Sequence, residues 1–345
     1  MHIISRSILL LTAAAAVNLG GCARQPASSP TPPPFTFVSA NHLYNTACAD
    51  SRSAWIIGFN ATILHTSDGG ATWQFQKSGS ALNLSDVCFV DNRTGWISGR
   101  LGTVLHTTDG GATWEKQPTG VERHLFDIHF TDDRYGWACG DFGTIIHTSD
   151  GGATWVSQGS GEDRIYNSIF FTDRSNGWVV GEYGLIYRTT NGGATWERRE
   201  CRDIIPVVDE TKWEAFPPSL YDVFFIDSRH GWATGMDGVI IATEDGGNLW
   251  KALPNPAQQT KTTLYKVKVN GRHGWAVGQK GILLISADGG QTWQLQSDRI
   301  TTKFMLRGMD FSDEKTGYIV GARGTILRTT DGGDSWTMLS GIPLS

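Results

Sequence analysis

Thr66-Ser67-Asp68-Gly69-Gly70-Ala71-Thr72-Trp73 decides the reading of this chain, because the same eight-residue pattern returns six more times. The further copies occupy residues 107–114, 148–155, 189–196, 243–250, 286–293 and 329–336. Their closing tryptophans lie 41, 41, 41, 54, 43 and 43 residues apart. A period of this size marks a repeat architecture in which each repeat is one supersecondary unit. The pattern is the Asp box, S/T-x-D-x-G-x-x-W. Its acidic position holds Asp68, Asp109, Asp150, Asp245, Asp288 and Asp331, and Asn191 in the fourth copy alone.

Working outward, a second motif precedes each box: Gly95-Trp96 through Gly102, Gly136-Trp137 through Gly143, Gly177-Trp178 through Gly184. Before it comes a short apolar run ending in Phe-x-Asp, as in Phe89 to Asp91 and Phe130 to Asp132. Each unit therefore reads as four short strands, A (86–90), B (96–99), C (103–107) and D (113–116), joined by glycine-rich turns. Short strands at even spacing are the cue for a propeller. The expected fold is all-β, a seven-bladed β-propeller of four-stranded antiparallel blades. The two motifs absorb 13 of the 14 tryptophans and leave only Trp213 unexplained.

The Asp box has a structural logic. Strand C must reverse tightly into strand D, and glycine supplies the left-handed backbone this requires. The carboxylate caps backbone N–H groups of the turn, and the tryptophan buries a large ring against the hairpin. Seven such boxes on one rim are scaffold, not seven active sites. His65, His106 and His147 recur in three blades, but equivalent sites in neighbouring blades diverge by roughly 10 Å, too far to share an ion. Cys48, Cys88, Cys139 and Cys201 lack metal-binding spacing. No metal and no cofactor is expected.

The chain has 345 residues, 42 glycines and a net charge of -5, with no basic run, so nucleic acid is not an expected partner. Residues 1–21 read as a signal peptide, with Arg6 before a short apolar stretch. Leu19-Gly20-Gly21-Cys22 resembles a lipobox, which makes Cys22 the expected lipid attachment site. Ala23 after it points to the periplasmic face of an outer membrane. Residues 22–34 are a Pro/Ser-rich tether and residues 35–345 the propeller.

In a propeller the B–C turns and D–A connectors share one face. The B–C tips vary from blade to blade, and Arg100, Phe142, Tyr183 and Arg323 on them are candidate partner-binding residues. The connector after the fourth box is 13 residues longer than its counterparts and carries Arg198, Arg199, Arg202 and Trp213, again candidates. Asp86, Asp127 and Asp222, with Asn45 and Ser168 at equivalent places, recur near the start of strand A and either line the channel or cap turns. No Gly-x-Ser-x-Gly, phosphate loop or Arg-Ile-Pro motif occurs, so no catalytic residue is assigned.

The doubled unit, Gly-Trp-x-x-Gly-x-x-Gly followed by T-[TS]-D-G-G-x-[TS]-W, resembles the photosystem II stability and assembly factor family over about residues 40–340. The resemblance implies a non-catalytic, monomeric scaffold that binds a membrane or envelope protein; where the host is photosynthetic, it implies a photosystem II subunit as partner and the lumenal side of the thylakoid as location. The alternative is a sialidase-like propeller that binds or hydrolyses glycans. Convergent carboxylates and arginines at the channel mouth would favour the enzyme; an aromatic and arginine patch would favour the scaffold.

Overall fold

The computed structural model describes residues 42–206 and 216–339. The signal peptide, Cys22, the tether and Trp213 lie outside them. The described residues form seven four-stranded antiparallel sheets, each built from four strands consecutive in sequence. In the second blade these are strands A (Leu84–Phe89), B (Gly95–Gly99), C (Val104–Thr107) and D (Glu115–Lys116). Strand D is shorter than its sequence suggests. The Thr113 amide and hydroxyl both donate to Asp109, at 2.9 and 2.7 Å, so the ladder starts only after Trp114.

The blades are joined by the residues that the repeat keeps constant. The indole N–H of each Gly-Trp tryptophan crosses to a glycine carbonyl of the next blade's Asp box. Trp55 reaches Gly110 at 3.1 Å, Trp137 reaches Gly192 at 3.1 Å and Trp178 reaches Gly246 at 3.0 Å. Except for Trp232, its ring stacks on the phenylalanine that ends the next inner strand, Trp96 on Phe130 at 3.5 Å and Trp137 on Phe171 at 3.6 Å. That phenylalanine meets its own Asp-box tryptophan edge-on, Phe130 with Trp155 at 6.0 Å. The Asp box is thus also a socket for its neighbour. His65, His106 and His147 stack on the tryptophan of their own blade.

Asn191 completes the fourth box without a carboxylate. Its Oδ1 accepts from the Thr195 amide at 2.9 Å, and its Nδ2 donates to the Thr195 hydroxyl at 2.9 Å.

The ring closes between the seventh and first blades without an exchanged strand among the described residues. Tyr318 replaces the tryptophan and meets Trp73 edge-on at 5.6 Å. Cys48 stands where the phenylalanine would be, and its amide donates to Asp310 Oδ2 at 2.7 Å.

Candidate functional site

Every inner strand opens with a β-bulge, as the register shifts between Leu84 and Asp86 and between Leu220 and Asp222 show. A bulge leaves one residue outside the ladder and re-aims its side chain. The bulged residues are Tyr44, Ser85, Phe126, Asn167, Tyr221, Tyr265 and Arg307, and all seven line a cavity of ≈ 300 Å³ at the mouth of the central channel. Sequence reasoning missed them because they share no residue type. Their common signal is position: each stands between a buried residue, leucine in all but one blade, and a following residue that is polar in every blade but the seventh, where it is Gly308.

That polar residue forms the floor, which includes Asn45, Asp86, Asp127, Ser168, Asp222 and Lys266. The carboxylates predicted either to line the channel or to cap turns line the channel, and the amides they accept from lie in the next inner strand rather than in turns, so they latch neighbouring strands together. Asp86 Oδ2 accepts from the Ile128 amide at 3.1 Å, Asp127 Oδ2 from Ile169 at 2.8 Å, and Asp222 Oδ2 from Val267 at 2.9 Å. Ser168 Oγ accepts from Val223 at 3.3 Å. Asn45 donates to Asp86, and Lys266 Nζ donates to Asp222 at 2.9 Å.

Burial, and then the charge of Asp127, push the Asp86 carboxyl well above the usual carboxylate range. Although burial opposes it, the hydrogen bond from Asp86 and the charge of Lys266 hold Asp127 below that range. The two carboxyls are thus pushed apart, Asp86 towards its acid form and Asp127 towards its charged form. Burial alone would lower the Lys266 ammonium, but Asp222, Asp127 and Asp86 around it hold it above its ordinary value. Three convergent carboxylates are thus present, yet each is bound to a backbone amide.

The B–C turns surround this mouth, each tied to the connector before strand A. The Arg100 amide donates to the Asn83 carbonyl at 3.1 Å and the Asp141 amide to the His124 carbonyl at 3.1 Å. The Thr103 amide closes its turn on Arg100 at 3.2 Å. The two central residues, Leu101 and Gly102, have φ of 53° and 64°, a pair of left-handed residues as in a type I′ turn. Glycine is required at the second, because a Cβ on Gly102 would lie 1.8 Å from the Val121 carbonyl oxygen. At the first position six other blades also place a non-glycine residue. Phe142 has φ 52°, Tyr183 55° and Arg323 56°, a conformation that costs about 1–2 kcal/mol each. Strain at exposed tips points to function.

These tips form an aromatic and arginine rim. Leu101 is 58% exposed, and Phe142 and Tyr183 are each 44% exposed. Arg123 caps the Phe142 ring at 4.1 Å, Arg164 caps Tyr183 at 5.8 Å, and Arg323 caps Phe304 at 4.8 Å. Arg100, Phe142, Tyr183 and Arg323 therefore share one face.

The long connector is arranged differently from its sequence reading. Arg198 and Arg199 belong to the outer strand Glu197–Arg199 and pair with Glu200 at 3.8 Å and Glu197 at 2.5 Å. Arg202 opens a short 3-10 turn, Arg202–Ile204, whose Ile204 packs in the core with Trp250. Asp203 Oδ2 accepts the Ala252 amide at 3.0 Å. This part folds back as scaffold. Phe216, 58% exposed, stacks on Tyr183 at 4.8 Å.

Fold and face together define a class, the seven-bladed Asp-box propeller with a rim of binding character around a polar channel mouth. Within that class the chain belongs to the photosynthesis system II assembly factor YCF48 family, whose model matches residues 35–120, 114–207 and 205–300. A stretch of 51 residues is 37% identical to the photosystem II assembly protein Ycf48 of Thermosynechococcus vestitus; it spans 14% of this chain and 15% of that relative. The structure of YCF48 bound to D1 peptide superposes with a TM-score of 0.69 at 23% identity, covering 89% of this chain and 99% of that one. A GH74 xyloglucanase from Xanthomonas campestris shares the fold with a TM-score of 0.69 at 12% identity, over 88% of this chain and 55% of that enzyme.

Proposed function

We propose that this chain is an exported, lipid-anchored, non-catalytic scaffold that holds a segment of a membrane protein during assembly. The segment binds on the face formed by the B–C turns, and Cys22 tethers the propeller to the membrane. The observation that carries the reading is the rim itself, where Phe142 and Tyr183 are held exposed in strained backbone under Arg123 and Arg164. Rings and guanidinium groups of this kind are the side chains that dominate protein interfaces. The family membership supports it, as does the solved relative that carries a D1 peptide. In a photosynthetic host the client is a photosystem II subunit.

Affinity capture from detergent-solubilised membranes tests this. The wild-type chain should retain one membrane protein, and a Phe142→Ala, Tyr183→Ala double variant of unchanged melting temperature should lose it. Retention by the double variant would move the client site elsewhere. Cys22→Ser should release the protein to the soluble fraction; continued membrane attachment would refute the anchor.

A further inference from the structure

Arg307 is the bulged residue of the seventh blade, and its guanidinium lies over two rings at once. Its Cζ is 5.3 Å from the Tyr44 centroid in the first blade and 5.4 Å from the Tyr265 centroid in the sixth. Two rings hold the guanidinium in place, as cation–π contacts do. No carboxylate or hydrogen-bond acceptor meets it among the described residues, and the side chain is exposed at the mouth of a ≈ 300 Å³ cavity. An arginine fixed by its faces leaves its N–H edge free, and that edge matches a planar carboxylate with two parallel hydrogen bonds.

The carboxylates of the floor beneath are engaged rather than free. Asp222 is paired with Lys266 and Asp310 with Lys268, while Asp127 accepts from the Ile169 amide and Asp86 from the Ile128 amide. Across the mouth, His124 is hydrogen-bonded to Ser85 at 2.7 Å and adds polar capacity.

The aromatic faces are already in use. Tyr44 and Tyr265 cover Arg307, and Phe126 packs on His124 at 4.2 Å. Among the arginines around the mouth the surface also exposes apolar groups, Leu101, Phe142, Met236 and Phe304. Such a surround suits peptide side chains.

We propose that the channel mouth is a carboxylate pocket, in which Arg307, fixed between Tyr44 and Tyr265, receives the carboxylate of a peptide whose apolar side chains lie on the surrounding turns. This rests on the client reading above and names the chemistry of the client.

The test is calorimetric titration of the full chain with a four-residue probe, acetyl-Leu-Phe-Ala-Leu, ending in a free carboxylate. The same peptide ending in an amide, an amide-ended version carrying one glutamate, and glucuronate serve as comparisons. The free acid should bind at least about tenfold more tightly than the amide, as a charged hydrogen-bonded pair provides. Arg307→Gln should erase that preference while leaving the melting temperature unchanged. Recovery of affinity by the glutamate peptide supports the pocket and assigns the carboxylate to a side chain; no recovery assigns it to the chain terminus. Equal binding of acid and amide, no binding at millimolar peptide, or an unaltered preference in Arg307→Gln each overturns the proposal. Binding of glucuronate in place of the peptides also overturns it and gives the pocket to a sugar acid. If Arg307→Gln keeps its membrane client while the Phe142, Tyr183 double variant loses it, the pocket fails and the scaffold reading stands. If the acid preference depends on Arg307 but no client is ever captured, the pocket stands and the scaffold reading fails.

Discussion

The indole N–H of Trp96 donates to the carbonyl of Gly151 at 2.9 Å, across the boundary between the second and third blades. The same ring stacks on Phe130 of the third blade and on His106 of its own. Trp96→Phe should cost about 1–3 kcal/mol, from the lost donor and the buried carbonyl it leaves. Trp96→Ala should cost about 3–5 kcal/mol, as the deletion of a large core ring does. Hydrogen exchange distinguishes this coupling from a local defect. Protection of the Thr154 amide, in the box that Trp96 enters, should fall more than that of Thr113 in its own blade. The reverse order would show that the tryptophan supports only its own hairpin.

The Asp boxes set a limit on acid stability. The Asp150 carboxyl is held down at about 2 by the hydroxyl and amide of Thr154, and Asp109 at about 2 by the amide and hydroxyl of Thr113. A carboxylate whose folded pKa is depressed contributes stability that is present above its unfolded value of about 4 and is lost below it. Denaturation midpoints should therefore hold from neutral pH to about pH 4 and fall steeply towards pH 2. Asp150→Asn, which copies the fourth blade's Asn191, should flatten part of that fall. A midpoint independent of pH in this window would show that the boxes add little.

The two coupled floor carboxyls should respond oppositely to neutralisation. The fold raises Asp86 and lowers Asp127. Asp86 thus favours the fold at low pH, and its contribution fades as pH rises above about 4. Asp86→Asn should cost less at pH 7 than Asp127→Asn, because the amide still accepts from Ile128 and donates to Asp127, although it no longer accepts from Asn45. Asp127→Asn should lower stability by about 1–3 kcal/mol through the loss of a charged hydrogen-bond acceptor. Equal losses for the two variants would show that the two carboxyls are not pushed apart.

The rim carries a stability signature of its own. At an ordinary loop position glycine is less stable than alanine by about 0.4–1 kcal/mol. At Phe142, with φ at 52°, the order should invert, and Phe142→Gly should melt above Phe142→Ala by about 1 kcal/mol equivalent. Both should lose the client. A glycine variant that is less stable than alanine would mean that the turn relaxes and stores no strain.

What was legible in the sequence follows from what a repeat must conserve within itself. The glycines, tryptophans and Asp-box carboxylates hold one geometry in every blade, so seven copies expose them by comparison alone. Asp86, Asp127 and Asp222 were visible for the same reason, although their use as latches between strands needed the fold. Arg198 and Arg199 were misplaced because the outer strand Glu197–Arg199 lacks an apolar alternation to separate it from the connector. Arg307 and Tyr265 were invisible. Their side chains are set by a bulge in the strand pairing, and no residue type is required for one.

Those bulges have an evolutionary consequence. Each blade supplies the mouth with one side chain that stands outside its ladder, so replacing one leaves the sheet intact and disturbs only the bulged residues beside it, as Tyr44 and Tyr265 lie beside Arg307. The rim of the channel behaves like a lock whose pins are adjusted one neighbourhood at a time. Lineages can refit it to a new client one substitution at a time, while the tryptophan sockets keep the cylinder intact.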